Sequence, residues 1–136
     1  MKLNRRIRTF LYNDQRFSDT ELDLLHTPAL QRLYDLHQLG FTDRVYVDAS
    51  HGRLHHVLGV VEQTGKLLKA IERNLLSKPD EELPFTGEPE SSAPTKRQIA
   101  ELVRNRLAAA RCMAFLHDLT HAPYGHTLED EIHLVS

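Results

Sequence analysis

Two apolar stripes at helical spacing, held apart by a proline-rich segment, constrain the fold of this chain more than any other feature. Between 52 and about 77, Leu54, Val57, Leu58, Val61, Leu68, Ile71 and Leu75 recur every three or four residues. That spacing predicts a long amphipathic helix with one buried face. From about 95 to 117, Ile99, Leu102, Val103, Leu107, Ala110, Ala114 and Phe115 mark the buried side of a second helix. Its Ala108-Ala109-Ala110 run permits close helix approach. Between the two, 78–95 holds prolines 79, 84, 89 and 94, one glycine and five acidic residues. Such a composition predicts a loop, mobile or inserted.

The remaining punctuation is also helical. Ser18 or Asp19 can cap a first helix, with Glu21 near the capping-box position. Thr27-Pro28 is a second start signal, followed by Leu30, Leu33, Leu36 and Leu39 and a stop at Gly40. Arg44-Val45-Tyr46-Val47-Asp48 is the one strand-like run, enough for at most a short β-ribbon near 44–48. Pro123 and Gly125 interrupt the chain beyond 117, and a short helix is predicted near Thr127. The fold class read from these signals is all-α, in one domain spanning 1–136, the length of a single domain.

Composition narrows the function classes. The chain is 40% hydrophobic and 26% charged, with a formal charge of -2. That charge argues against nucleic acid as a partner, although Arg5-Arg6 and the stretch from Arg104 to Arg111 are locally basic. No apolar run approaches the roughly 18 residues of a membrane span. The basic start of the chain has no apolar core behind it, so it does not read as a secretory signal. A single cysteine, Cys112, fits a reducing cytoplasm.

Histidine is the outlier, with nine residues. Six fall at 51, 55, 56, 117, 121 and 126. His117-Asp118-Leu119-Thr120-His121-Ala122-Pro123-Tyr124-Gly125-His126 stands at the end of the second apolar helix. A divalent metal takes neutral imidazole nitrogens and carboxylate oxygens at about 2.0–2.2 Å. Adjacent residues lie about 100° apart on a helix, so His117 and Asp118 share one ion only near a helix end. Leu119 to Pro123 supplies that ending. A third ligand must come from another element, and spacing alone leaves His55 and His56 both open. The two segments flank 78–95 and must meet in space, so that stretch is not a domain boundary. His26, His37 and His133 read as structural or surface residues.

Three blocks carry a resemblance. These are Thr27-Pro28-Ala29-Leu30-Gln31-Arg32-Leu33 through Gln38-Leu39-Gly40; Ala49-Ser50-His51-Gly52-Arg53-Leu54-His55-His56-Val57-Leu58-Gly59-Val60; and His117 through His126 with Thr127-Leu128-Glu129-Asp130-Glu131. Together they resemble the HD-domain superfamily of metal-dependent phosphohydrolases, in the branch of the deoxynucleoside triphosphate triphosphohydrolases. The resemblance implies an HD-domain helical bundle and a divalent metal (Mn, Mg, Fe, Zn or Ni). It implies His56, His117 and Asp118 as metal ligands. His121 and His126 become active-site histidines that contact phosphate and assist proton transfer, with Glu129 orienting one of them. Gln38 and Arg53 match positions near the nucleotide sugar and phosphate. A nucleotide or another phosphoester is the implied substrate, and oligomers are common in the family.

The chain also departs from the family's pattern. The family uses a distal aspartate on a later helix as a fourth ligand, and Asp130 is too near Asp118 to replace it. Thr120 stands where glycine is common, and His55 where an acidic residue is common. The expectation is therefore an incomplete bundle, the N-terminal part of an HD domain. The leading function is hydrolysis of nucleotides to nucleoside plus triphosphate. Phosphomonoester or phosphodiester hydrolysis, and a non-catalytic module used for regulation or assembly, are the alternatives.

Overall fold

A computed structural model describes residues 2–9, 12–77 and 94–120. The architecture is mostly helical, as expected, built around an antiparallel pair of long helices. Before the pair come an antiparallel β-ribbon, β1 (Arg5–Thr9) and β2 (Asn13–Phe17), then helix α1 (Asp19–Leu25) and the short α2 (Pro28–Gln31). Three 3-10 turns follow, Arg32–Tyr34, Gly40–Arg44 and Val47–Ser50. The long helices are α3 (Arg53–Ser77) and α4 (Lys96–Leu116). None of the described helices is long and apolar enough to cross a membrane.

The ribbon lies elsewhere than its expected place at 44–48. That run forms turns instead, and Val45, Tyr46 and Val47 are exposed, with no neighbouring strand to pair among the described residues. The ribbon that does form, in register Arg5↔Phe17 to Thr9↔Asn13, is rich in charge and poor in β-formers. Its alternation explains it. Ile7, Gln15 and Phe17 turn inward, while Arg6, Arg8, Asp14 and Arg16 face water. Gln15 donates to the Leu58 carbonyl at 3.1 Å, and Phe17 packs on Phe115 with ring centres 6.0 Å apart. Docking onto the helices, rather than strand propensity, fixes this hairpin.

Ser18 is the cap of α1. Glu21 donates its backbone N–H to Ser18 Oγ, and the Glu21 carboxylate accepts from the Ser18 N–H at 2.7 Å. The same carboxylate receives Arg111 Nε from α4 at 2.5 Å. Arg111 also donates to the carbonyls of Val61 and Arg16, so one buried guanidinium ties α1, β2, α3 and α4 together. Gly65 makes this approach feasible, because a Cβ there would lie 2.6 Å from Arg111 Nη1.

The helix from Thr27 is shorter than its apolar spacing predicts. It ends at Gln31 and passes into a 3-10 turn, then crosses to α3 by a bridge between His37 and Gly52. Gly52 is needed there, since a Cβ would meet the Tyr34 carbonyl oxygen at 2.7 Å. The core gathers Phe17, Leu25, Leu30 and Leu33 against Leu54, Val57, Leu58, Val61, Ala114 and Phe115. Only the first half of the α3 stripe is buried. Ile71 is exposed, and Leu102, assigned to the buried side of α4, is 55% exposed. The expected loop at 78–95 falls mostly, and the helix near Thr127 entirely, outside the described residues.

Candidate metal centre

The last turn of α4 and the first two turns of α3 meet at one end of the hairpin. His117 closes α4, and the chain turns over 117–120, so Asp118 points inward and is almost fully buried. His56 comes from α3. His56, His117 and Asp118 each offer a ligand atom, and these atoms lie within 4.8 Å of one another. His55 is not in this group; its ring faces Tyr34, with ring centres 6.2 Å apart.

The two imidazoles stand at the spacing of ligands to one small cation, and each has a different Asp118 oxygen near it. His56 Nε2 and His117 Nε2 are 3.3 Å apart, His117 Nε2 and Asp118 Oδ1 3.3 Å, and His56 Nε2 and Asp118 Oδ2 3.7 Å. Ligands at about 2.1 Å from one ion at tetrahedral angles stand about 3.4 Å apart. Tautomers agree as well. His117 Nδ1 lies 2.7 Å from the Ala114 carbonyl oxygen, which can only accept, so Nδ1 carries the proton and Nε2 turns a lone pair to the cluster.

Electrostatics favour a neutral ligand at His56. Burial pushes its imidazole below the ordinary histidine value; the Asp118 carboxylate opposes this, and His117, Arg53 and His51 add to it. A neutral imidazole is the form that binds metal.

The other expected site residues are distributed unevenly. Arg53 lies one helical turn before His56 on the same face of α3. It is buried and donates Nη1 to Asp118 Oδ2 at 3.2 Å, and Nη2 to the Gln38 carbonyl at 3.5 Å. Gln38 is half-buried, and its Oε1 has no hydrogen-bond partner among the described residues. His121, His126 and Glu129 lie outside the described residues. The Arg53–Asp118 contact is absent from the sequence reading. The spacing of three between Arg53 and His56 could have signalled it, since both must face the same way. Alongside His56 an open groove of about 700 Å³ runs along α3, flanked by Tyr12, Gly59, Gln63 and Lys66.

No protein-family profile matches the chain. Comparison with curated proteins does find relatives. The chain is 30% identical over 120 residues to an HD domain-containing protein of Acanthamoeba polyphaga mimivirus, covering 88% of this chain and 24% of that protein. It is 31% identical over 128 residues to the deoxynucleoside triphosphate triphosphohydrolase SAMHD1 homolog of Dictyostelium discoideum, covering 94% and 21%. To the deoxynucleoside triphosphate triphosphohydrolase SAMHD1 of Danio rerio it is 29% identical over 124 residues, covering 88% and 16%. The chain is thus related to HD-domain proteins of the triphosphohydrolase kind, and it spans a quarter or less of the length of these relatives.

Proposed function

We propose that this chain carries the metal-binding part of a divalent-metal-dependent phosphohydrolase acting on nucleotides, with deoxynucleoside triphosphate triphosphohydrolysis as its specific reaction. One observation carries the reading: two imidazoles and a carboxylate, from segments 61 residues apart, converge at ligand spacing. The names of the relatives supply the substrate class. A divalent ion held by His56, His117 and Asp118 would lower the pKa of a bound water and offset charge on a phosphoryl oxygen.

The chain's own groups have complementary tasks. His117 is oriented through the Ala114 carbonyl, and Asp118 through Arg53. In the proposed reaction a water oxygen bonds to the α-phosphorus, the bond to the sugar oxygen breaks, and nucleoside and triphosphate leave. His121 or His126 gives the departing oxygen its proton, near neutrality being where imidazole can do so. Glu129 orients that histidine, and Gln38 contacts the sugar.

The test is product analysis of a deoxynucleotide panel with Mn2+ or Mg2+. Nucleoside and intact triphosphate are expected, with no turnover by Asp118→Ala. Inorganic phosphate from monoesters would favour a phosphomonoesterase instead. Metal binding without turnover of any phosphoester would favour a non-catalytic module. Full turnover by Asp118→Ala would sink the reading.

A further inference from the structure

The buried Arg53 is assigned no metal-directed task by its match to a phosphate-contacting position, yet its geometry gives it one. Its side chain is 3% exposed, and that of Asp118 is 7% exposed. Arg53 is held at its backbone and at its guanidinium. The Arg53 backbone N–H donates to the Leu36 carbonyl at 2.7 Å, Nη2 reaches the Gln38 carbonyl, and Nη1 reaches Asp118 Oδ2. The Leu36–Gln38 strip is in turn tied down, with the Gln38 N–H donating to the His51 carbonyl at 3.1 Å.

A carboxylate has about four lone-pair directions. A carboxylate on a freely turning χ2 would present any of them to a cation. Here Arg53 occupies one direction on Oδ2, which also lies 3.7 Å from His56 Nε2, and Oδ1 lies 3.3 Å from His117 Nε2. We infer that Arg53 is a positioning residue for the metal centre: its planar fork, anchored on Gln38, holds Asp118 in the rotamer that ligates together with His56 and His117.

The inference rests on the metal-site reading and deepens it. It also runs against simple charge logic, which makes it sharp. A guanidinium beside a metal carboxylate repels a divalent cation, so if charge dominated, removing Arg53 would tighten metal binding. If orientation dominates, removal weakens it, as loss of groups that orient metal ligands does by about 10–100-fold. Lysine separates the two effects, because it keeps the charge and loses the planar fork.

The experiment is Co2+ titration of the full chain, followed by calorimetry and by the visible ligand-field spectrum. Wild type, Asp118→Ala, Arg53→Met and Arg53→Lys are compared, each with a thermal melt of the metal-free chain. Expected are saturable binding by wild type, loss of it in Asp118→Ala, and affinity at least about tenfold weaker in both Arg53 variants, with a changed spectrum at saturation. Unchanged or tighter binding by Arg53→Met, with wild type binding and Asp118→Ala not, overturns the positioning role and leaves the metal site standing. Wild-type affinity and spectrum in Arg53→Lys overturn it too, because the fork would then be dispensable. Should Arg53→Met fail to fold, the spectrum and affinity of Arg53→Lys decide. No Co2+ binding by wild type, or wild-type binding by Asp118→Ala, removes the metal centre itself and the inference with it.

Discussion

The two ends of the α3–α4 hairpin share one sequence pattern and have opposite fates. At the metal end, Val57, Val61 and Phe115 are fully buried, because the ribbon, α1 and the segment around Leu30 and Leu33 close over them. At the far end, the same periodicity leaves Ile71 and Leu102 exposed and Leu68 and Leu75 only half-buried. The polar contacts differ in the same way. The metal end has the buried Arg111–Glu21 pair, and the far end the largely exposed Arg104–Glu72 pair at 2.6 Å. Apolar spacing sets which side of a helix can be buried, and the layers that reach it set how much is. The candidate ligands His56, His117 and Asp118 lie at this end, with Asp118 buried and the two imidazoles nearer the surface.

Core truncation should break the comparison most strongly. Phe115→Ala removes a ring packed on Phe17 and should cost about 3–5 kcal/mol. Leu102→Ala, the same kind of change on the exposed end, should cost about 0.5 kcal/mol or less. Denaturant unfolding of both variants measures the gap; equal losses would mean the two ends are not distinct.

Ion pairs should differ next. Arg111→Met leaves Glu21 buried without its partner and should cost about 3 kcal/mol or more. Pairing it with Glu21→Leu should recover much of that loss, because the uncompensated charge is then gone as well. Arg104→Ala at the far end should cost under about 1 kcal/mol, and less in high salt, as exposed pairs do. Thermal melts at two salt concentrations read both outcomes. A salt-sensitive Arg111 variant would contradict its burial.

The smallest effect is on pH dependence. The folded His56 titrates below the ordinary histidine value, chiefly through burial. The unfolded chain therefore takes up this proton first as pH falls. The His56 contribution is fully kept above about pH 6.5 and declines below it. The described far-end residues include no histidine, so nothing comparable titrates there. Hydrogen exchange from pH 7 to 5 should show protection falling first around His56, with a flatter profile in His56→Gln. An identical slope in that variant would assign the effect to other groups.

The elements with strong local signals were legible in the chain itself. The Ser18–Glu21 box, the two long helices and the pairing of His117 with Asp118 at a helix end each follow from spacing over a few residues. Such signals act within one or two turns, where neighbours along the chain are neighbours in space. The family resemblance carried His56 over His55, and it is His56 that the structure places beside His117 and Asp118. The ribbon was not legible. Its strands carry arginines and aspartates, and only docking against Leu58 and Phe115 gives their alternation a buried side. The 44–48 run erred the other way, since strand propensity without a partner strand makes no strand.

What the sequence determined alone, then, is a helical pair with histidine and aspartate at one end, because helical periodicity and capping are local. Tertiary structure alone decided which stretch of each stripe is dry, where the ribbon lies, and that Arg53 faces Asp118 across 65 positions of chain. Those outcomes depend on contacts between distant segments, whose strength comes from water excluded by several elements at once.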